Sequence, residues 1–493
     1  MAGGLARRSP PLEIPPMQRL LRLLPLGLLL ASGWAAAPSR PNVLLVVVDD
    51  LNTLLGAYGH GYVQSPTIDR LAARGARFER AYAQYPLCNP SRVSFLSGRR
   101  PETSGVYILA TPARTALPDA VLLPEHFRRQ GYYTGGVGKV FHNVRNSDPA
   151  AWDLYEDGPG EDDEEKAALN ARYGGGDGRP RAHVLSSDGA RTRDGLNSRR
   201  IRQLLGERAA AGGPFFLALG FHKPHLPWTA PQRFFDLYPP DRIPLPAEPP
   251  LRNVPPIALQ TELTGFPQPD SRIAAIQGYL ACVSFIDEQL GLVLAELDRL
   301  RLTENTLVVL FSDHGFHLGD HGGLWAKLSA FDVATRVPLL AAGPGIPAGT
   351  VVTTPVELLD VYPTLVDLAG LPRPPGLEGR SLRPLLGAAD TGSHAYSLVY
   401  HYDVERRADV AGRTVIGPRW RYTEWDGGAR GRELYWRPDD PHEYHNRVAD
   451  PALAATLAEA RTQLAKLPAP KPGPANRPRA IDPDAKQTKQ PRK

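Results

Sequence analysis

Cysteine and methionine are the scarcest residues of this chain, with 2 of each among 493. Two thiols close at most one disulfide, which excludes a disulfide-stapled scaffold. Long apolar runs are missing too. The run from Leu23 to Ala31 is too short and broken to span a bilayer, and no other stretch reads as a mature membrane span. No self-similarity recurs at a fixed period, so a solenoid is excluded, and no nucleic-acid-binding module is present. Acidic residues fall slightly short of basic ones, 52 against 57, for a net charge of +5. The basic surplus gathers in the Pro-rich tail from Lys471 to Lys493, which reads as a disordered extension rather than a polyanion-binding surface.

Proline (51) and glycine (47) are plentiful, which implies long ordered loops in an otherwise ordinary globular composition. The length suffices for one large and one small domain. At the start, Gln18-Arg19 and Arg22 supply a basic region, Leu23 to Ala31 an apolar one, and Ala35-Ala36-Ala37 a small-residue cleavage site. Residues 1–37 are therefore expected to be a signal region, with Met17 as the true start and a secreted or periplasmic mature protein. The remainder divides into a large domain over 38–384, a C-terminal subdomain over 385–470 and a basic tail over 471–493.

The pattern along the chain predicts an α/β fold. Asn42 to Val48, Tyr132 to Gly138, Phe215 to Phe221 and Thr306 to Phe311 are apolar runs of the kind buried on both faces of a parallel sheet. Ser65-Pro66 opens a helix, another runs from about Arg272 to Asp298, and Val337 to Ala341 is a further strand. The segment from Glu156 to Arg193 reads as loop, with Glu161 to Glu165 a solvated acidic run, and a Pro-rich loop reaches from Trp228 to about Asp270. Past Leu385, alternating stretches at Ser397 to Tyr402 and Trp420 to Trp425 suggest a small antiparallel sheet closed by a helix near Pro451 to Leu467.

The buried strands run out into Asp49-Asp50, Lys139 with His142, His222 with His225, and Asp313-His314. Ligands of open α/β sheets bind off the carboxyl edge of the strands, so these groups are candidates for one shared site. Adjacent strand residues face opposite ways, and Asp49-Asp50 can serve one ion only because the strand ends there. Mostly oxygen donors suit a hard cation such as Ca²⁺.

Between the first two of these strand ends lies Cys88-Asn89-Pro90-Ser91-Arg92, a helix start whose positive end and Arg92 would favour an anion. Alone, Cys88 also reads as a buried, inert thiol. The five residues resemble the C-x-P-S-R signature of the type I sulfatases, and Gly138-Lys139-Val140-Phe141-His142, His222-Lys223-Pro224-His225, Asp313-His314-Gly315 and Trp325-Ala326-Lys327 are similar, in order, to segments of the iduronate-2-sulfatase-like branch. That resemblance implies an alkaline phosphatase-like fold: a large, mostly parallel mixed sheet flanked by helices, with a smaller C-terminal antiparallel sheet. It implies a sulfuric ester hydrolase whose Cys88 is oxidised to formylglycine by a maturation enzyme, with one Ca²⁺ held by Asp49, Asp50, Asp313, His314 and the modified Cys88. It also implies that Arg92 and Lys139 stabilise the nucleophile, that His142 acts on the hydroxyl released, and that His225 and Lys327 hold sulfate oxygens, with His225, and Lys327 as second candidate, protonating the leaving group. The substrate implied is a sulfated small molecule or glycan. Two alternatives stay open on the residues: a phosphodiesterase or phosphonate monoester hydrolase of the same superfamily, and a non-catalytic binder of sulfated glycans. His222, Lys223, His317 and His321 read as structural, and Cys282 as a core thiol.

Overall fold

The structure is a computed structural model that describes Met1, residues 40–157, Glu165, Ala167 and residues 182–245, 248–261, 263–264, 269–387, 392–403 and 408–471. The expected signal region from residue 2, the acidic positions 161–164 and the tail beyond residue 471 lie outside the described residues.

Nine strands make the main sheet: β1 (Asn42–Asp49), β2 (Ala76–Tyr82), β3 (Tyr133–Gly138), β4 (Leu154–Glu156), β5 (Phe215–Pro224), β6 (Thr306–Ser312), β7 (Arg336–Ala342), β8 (Thr350–Val352) and β9 (Val356–Glu357). Their order is β8-β2-β7-β6-β1-β5-β3-β4, with β9 also paired to β2. Only β7 runs against its neighbours, β2 and β6. At the centre, Val43 of β1 is in register with Phe216 of β5 and Leu307 of β6, both parallel.

The helices that matter here are α1 (Pro66–Arg74), α2 (Cys88–Ser97), α3 (Arg193–Ala211), α4 (Pro269–Arg299), α5 (Val361–Leu368) and α6 (Ala454–Leu464). All eight residues of β1 are buried because both faces of the sheet are covered. Leu44, Val46 and Val48 join a core with Ile68 of α1, Leu204 of α3 and Tyr279 and Val283 of α4. Val43, Leu45 and Val47 point the other way, into a second core with Val93 and Phe95 of α2 and Leu365 of α5. Each such aliphatic side chain contributes roughly 1.5–3 kcal/mol on burial, so the β-branched run of β1 anchors both layers. The N-terminus of α1 is capped from outside: the Asp287 carboxylate accepts the amides of Thr67 (3.0 Å) and Ile68 (2.8 Å), and the Ser65 side chain does not cap it.

The C-terminal sheet is antiparallel in the order β10 (Ala395–Asp403), β11 (Ala408–Ile416), β12 (Trp420–Trp425) and β13 (Gly431–Trp436). Ala460 and Leu464 of α6 close it against Val415, Tyr422 and Leu434.

Some local expectations change. Ala182–Leu185 is a strand and pairs in parallel with Trp228–Pro231, which interrupts both expected loops. Glu165 is not solvated: it is buried and accepts the Arg193 amide at 2.7 Å, because the N-terminus of α3 leaves amides in need of acceptors. Cys282 is a fully buried free thiol in the core of α4, and Cys88 is free as well. Among the described residues, no helix is long and apolar enough to cross a membrane.

Candidate active site

Four neighbouring parallel strands, β6, β1, β5 and β3, end at one edge of the sheet, and each delivers side chains there. Asp49 is the last residue of β1. Asp50 then adopts a left-handed backbone, φ 63°, and this reversal lets two consecutive carboxylates serve one place. The turn is held from behind. Tyr279 of α4 donates its hydroxyl to Asp50 O (2.9 Å) and accepts the Asn52 amide (2.8 Å). Ser312 accepts the Leu51 amide at 2.9 Å. Neither Tyr279 nor Ser312 carries a sequence signal beyond its place in a helix or strand.

Gly138 ends β3 at φ 75°, and a Cβ there would lie 2.3 Å from Gly220 O. Only glycine fits, and the chain turns directly into Lys139. The Lys139 ammonium bonds Asp49 Oδ2. Arg92, one turn into α2, donates Nη2 to Asp49 Oδ1 (2.9 Å) and Nε to Asp313 Oδ2 (3.0 Å), and its Nη1 reaches the carbonyls of Lys139 and Val140. This fully buried guanidinium therefore ties the helix that begins at Cys88 to three strand ends.

Asp50 Oδ1, Asp313 Oδ2 and Cys88 Sγ surround His314 Nε2 at 3.4, 3.6 and 3.4 Å. Ligand atoms around one metal ion stand about 3.3–3.8 Å apart, whether at right angles on longer bonds or tetrahedral on shorter ones, so this spacing fits one divalent cation. His314 Nδ1 lies 2.9 Å from Gly315 O, which places the ring hydrogen on Nδ1 and turns the Nε2 lone pair toward the cluster. Asp49, Asp50, Cys88 and His314 each bring a ligand atom within 4.8 Å of the others, and Asp313, bonded to Arg92, stands beside that group. Lys327 Nζ sits beside it, 2.5 Å from Asp50 Oδ1 and 3.3 Å from Cys88 Sγ.

The electrostatics agree with the donor set. Burial raises the pKa of Asp50 and of Asp313 despite the cations facing them, so both carboxylates gain from further positive charge. Asp49 is the opposite case: burial works against ionisation, but Lys139, His225 and Arg92 hold it well below the usual carboxylate range. Burial, reinforced by Asp49, pushes the Cys88 thiol well up, so an unmodified Cys88 stays protonated and is a poor nucleophile.

His225 and His142 stand further out. His225 Nε2 is 4.0 Å from Asp50 Oδ2, its Nδ1 is held 2.7 Å from Leu226 O, and a quarter of its side chain is exposed. The buried Nδ1 of His142 has no hydrogen-bond partner, and burial beside Lys139 lowers its pKa to about 3. All ten residues named from the sequence thus lie at this edge, eight of them linked directly and these two around them. His222 and Lys223 serve the backbone: their amides bond Asp194 at 2.8 and 2.9 Å, and Lys223 Nζ donates to Pro227 O at 2.7 Å.

Comparison with known proteins gives the arrangement its context. The Sulfatase family model matches residues 41–371, and the model for the C-terminal part of N-sulphoglucosamine sulphohydrolase matches residues 319–469. Iduronate 2-sulfatase of Mus musculus is 33% identical, covering 88% of this chain and 97% of its own. The Homo sapiens enzyme is 32% identical, covering 89% and 98%. Phosphonate monoester hydrolase of Agrobacterium radiobacter superimposes with a TM-score of 0.72 at 24% identity, over 87% of this chain and 95% of that one, a likeness of fold. With the sheet, the cluster at its edge and matches over most of its length, the chain belongs to the sulfatase family and is a sulfuric ester hydrolase.

Proposed function

We propose that this enzyme removes sulfate from a sulfated carbohydrate outside the cytoplasm, with a 2-O-sulfated uronate of a glycosaminoglycan as its substrate, using formylglycine made from Cys88 and one bound Ca²⁺. The observation that carries the reading is the convergence of Asp50, Asp313, His314 and Cys88 at ligand spacing beside the Lys327 ammonium. The iduronate 2-sulfatases, matched over nearly their whole length, point to the sugar.

Asp49, Asp50, Asp313 and His314 would hold the cation together with the oxygen that replaces the Cys88 sulfur. When bound, the ion polarises a sulfate oxygen and lowers the cost of ionising the nucleophile. Formylglycine supplies a hydrated aldehyde, one hydroxyl to attack sulfur and the other to expel sulfate afterwards, which a thiol or serine lacks.

The chain's own residues do the rest. Arg92 and Lys139 keep Asp49 ionised and orient it. Lys327 places a cation beside the nucleophilic side chain and on the equatorial sulfate oxygens, where charge spreads in the transition state. His225 turns Nε2 toward the site with Nδ1 held by a carbonyl, and it donates the proton that the departing sugar oxygen takes up. His142 is neutral at ordinary pH, so it acts as a proton acceptor, not as a further cation.

The test has two arms. Enzyme co-produced with a formylglycine-generating enzyme is assayed on a 2-O-sulfated uronate disaccharide, a 6-O-sulfated isomer, an aryl sulfate and an aryl phosphodiester. The tryptic peptide containing position 88 is weighed in parallel. The expected result is an aldehyde at position 88 and fastest turnover of the 2-O-sulfated disaccharide. A retained thiol in active enzyme would reject the nucleophile, and preference for the isomer or the phosphodiester would reject the substrate.

A further inference from the structure

Lys327 lies in an awkward stretch of backbone. The residues on either side, Ala326 and Leu328, are not glycine, yet both sit in the left-handed region, at φ 70° and 63°. Such a conformation persists only where the surroundings over-determine it. Two carbonyl contacts do so at Leu328. Its amide bonds Pro86 O at 3.1 Å, two residues before Cys88, and its carbonyl accepts from His401 Nε2 at 2.6 Å.

His401 belongs to β10 of the C-terminal sheet and is buried. Its other nitrogen, Nδ1, lies 2.6 Å from Ile257 O. A carbonyl only accepts, so both bonds form together only on the doubly protonated ring. That ring stacks on the Trp425 indole, centroids 4.6 Å apart at 28°, whose face favours a cation. Trp425 is fixed in turn by its Nε1 bond to Glu433 Oε2 at 2.6 Å. The other charged group on β10 beside it, Asp403, is paired with Arg430 at 2.7 Å. Burial draws the ring's pKa down against the pull of the two carbonyls, so on the alkaline side only one of the two bonds remains.

We propose that His401 is a positioning residue: it clamps Leu328 O from the C-terminal sheet and so sets the strained backbone that aims Lys327 at Asp50 and at position 88. The proposal rests on the role given above to Lys327. It assigns the C-terminal sheet a part in turnover as well as in stability.

The experiment compares wild type, His401→Ala, His401→Gln, Ala326→Gly, Lys327→Ala and the His401→Ala/Lys327→Ala double variant, all as full-length matured enzyme. kcat, KM and thermal melting are measured on one sulfate ester. His401→Ala is expected to lower kcat by about tenfold to a hundredfold, with KM changed much less. His401→Gln keeps one N–H donor and should recover part of the loss. Ala326→Gly removes the strain at φ 70° and loosens the stretch, so it should melt no lower than wild type and yet turn over more slowly. If His401 acts through Lys327, the double variant is no slower than Lys327→Ala alone. Unchanged kcat in both His401→Ala and Ala326→Gly, or losses that simply multiply in the double variant, would overturn the clamp while leaving Lys327 in place. Full activity in Lys327→Ala would overturn both the clamp and the role of Lys327.

Discussion

Two clusters of buried histidine and aspartate lie three residues apart in this chain, and they behave differently. In the first, His314 Nε2 faces Asp50, Asp313 and the Cys88 sulfur, and burial raises the pKa of both carboxylates. In the second, Asp320 lies between His317 and His321, and the far nitrogens of both rings are already engaged, by Ser329 Oγ and by His442 O, each at 2.7 Å. Burial opposes the charge on Asp320, but the two imidazoles hold it far below the usual carboxylate range. The first set is short of positive charge and the second is satisfied from within. A list of ligand-type residues does not separate them, whereas the balance of donors and acceptors does.

The sharpest way to break the comparison is to make the same substitution in each cluster. Asp313→Asn should lower kcat about 10³-fold, equivalent to about 4 kcal/mol, as read by steady-state kinetics on an aryl sulfate. Asp320→Asn should leave kcat within about twofold and instead cost about 3 kcal/mol of stability by denaturant melt, since both imidazoles lose their carboxylate. Calcium sharpens the contrast. A hundredfold excess over Kd should stabilise the wild type and Asp320→Asn by about 2.7 kcal/mol, and Asp313→Asn by much less. The smallest effect concerns a third imidazole. Burial lowers the His222 pKa from 6.5 to about 4, so the native state binds fewer protons than the unfolded chain. Its contribution is present above pH 6.5 and is lost as pH falls toward 4. His222→Asn should flatten that loss by about 2 kcal/mol relative to wild type, a figure allowing for its part-exposed ring.

Much of the site is legible in the sequence. β1, β5 and β6 announce themselves as β-branched or aromatic runs because both of their faces are buried, and their last residues are the polar ones because the sheet edge meets solvent and ligand. The signature from Cys88 to Arg92 joins two tasks in one helix: Arg92 reaches Asp49 and Asp313 while Cys88, at the first turn, faces His314. Other features leave no such trace. β2 interleaves arginine and glutamate with apolar residues, which hides a strand that lies within the sheet, where Arg77 folds back onto Glu79 and Arg80 reaches Gly417 O. The reversal of β7 depends on what precedes it in space, and no local pattern encodes it. The left-handed turn at Asp50 and the clamp at Leu328 are both made by residues far away in the chain, Tyr279 and His401.

One property of the helix that begins at Cys88 has a bearing on how the protein comes to be active. All ten of its residues are buried. A small sulfate group can enter to a side chain that is 2% exposed, but another protein can grip and alter it only while the polypeptide is still open. Any change that another protein makes at position 88 is therefore a matter of timing, and a copy that closes too early keeps its thiol until it unfolds again.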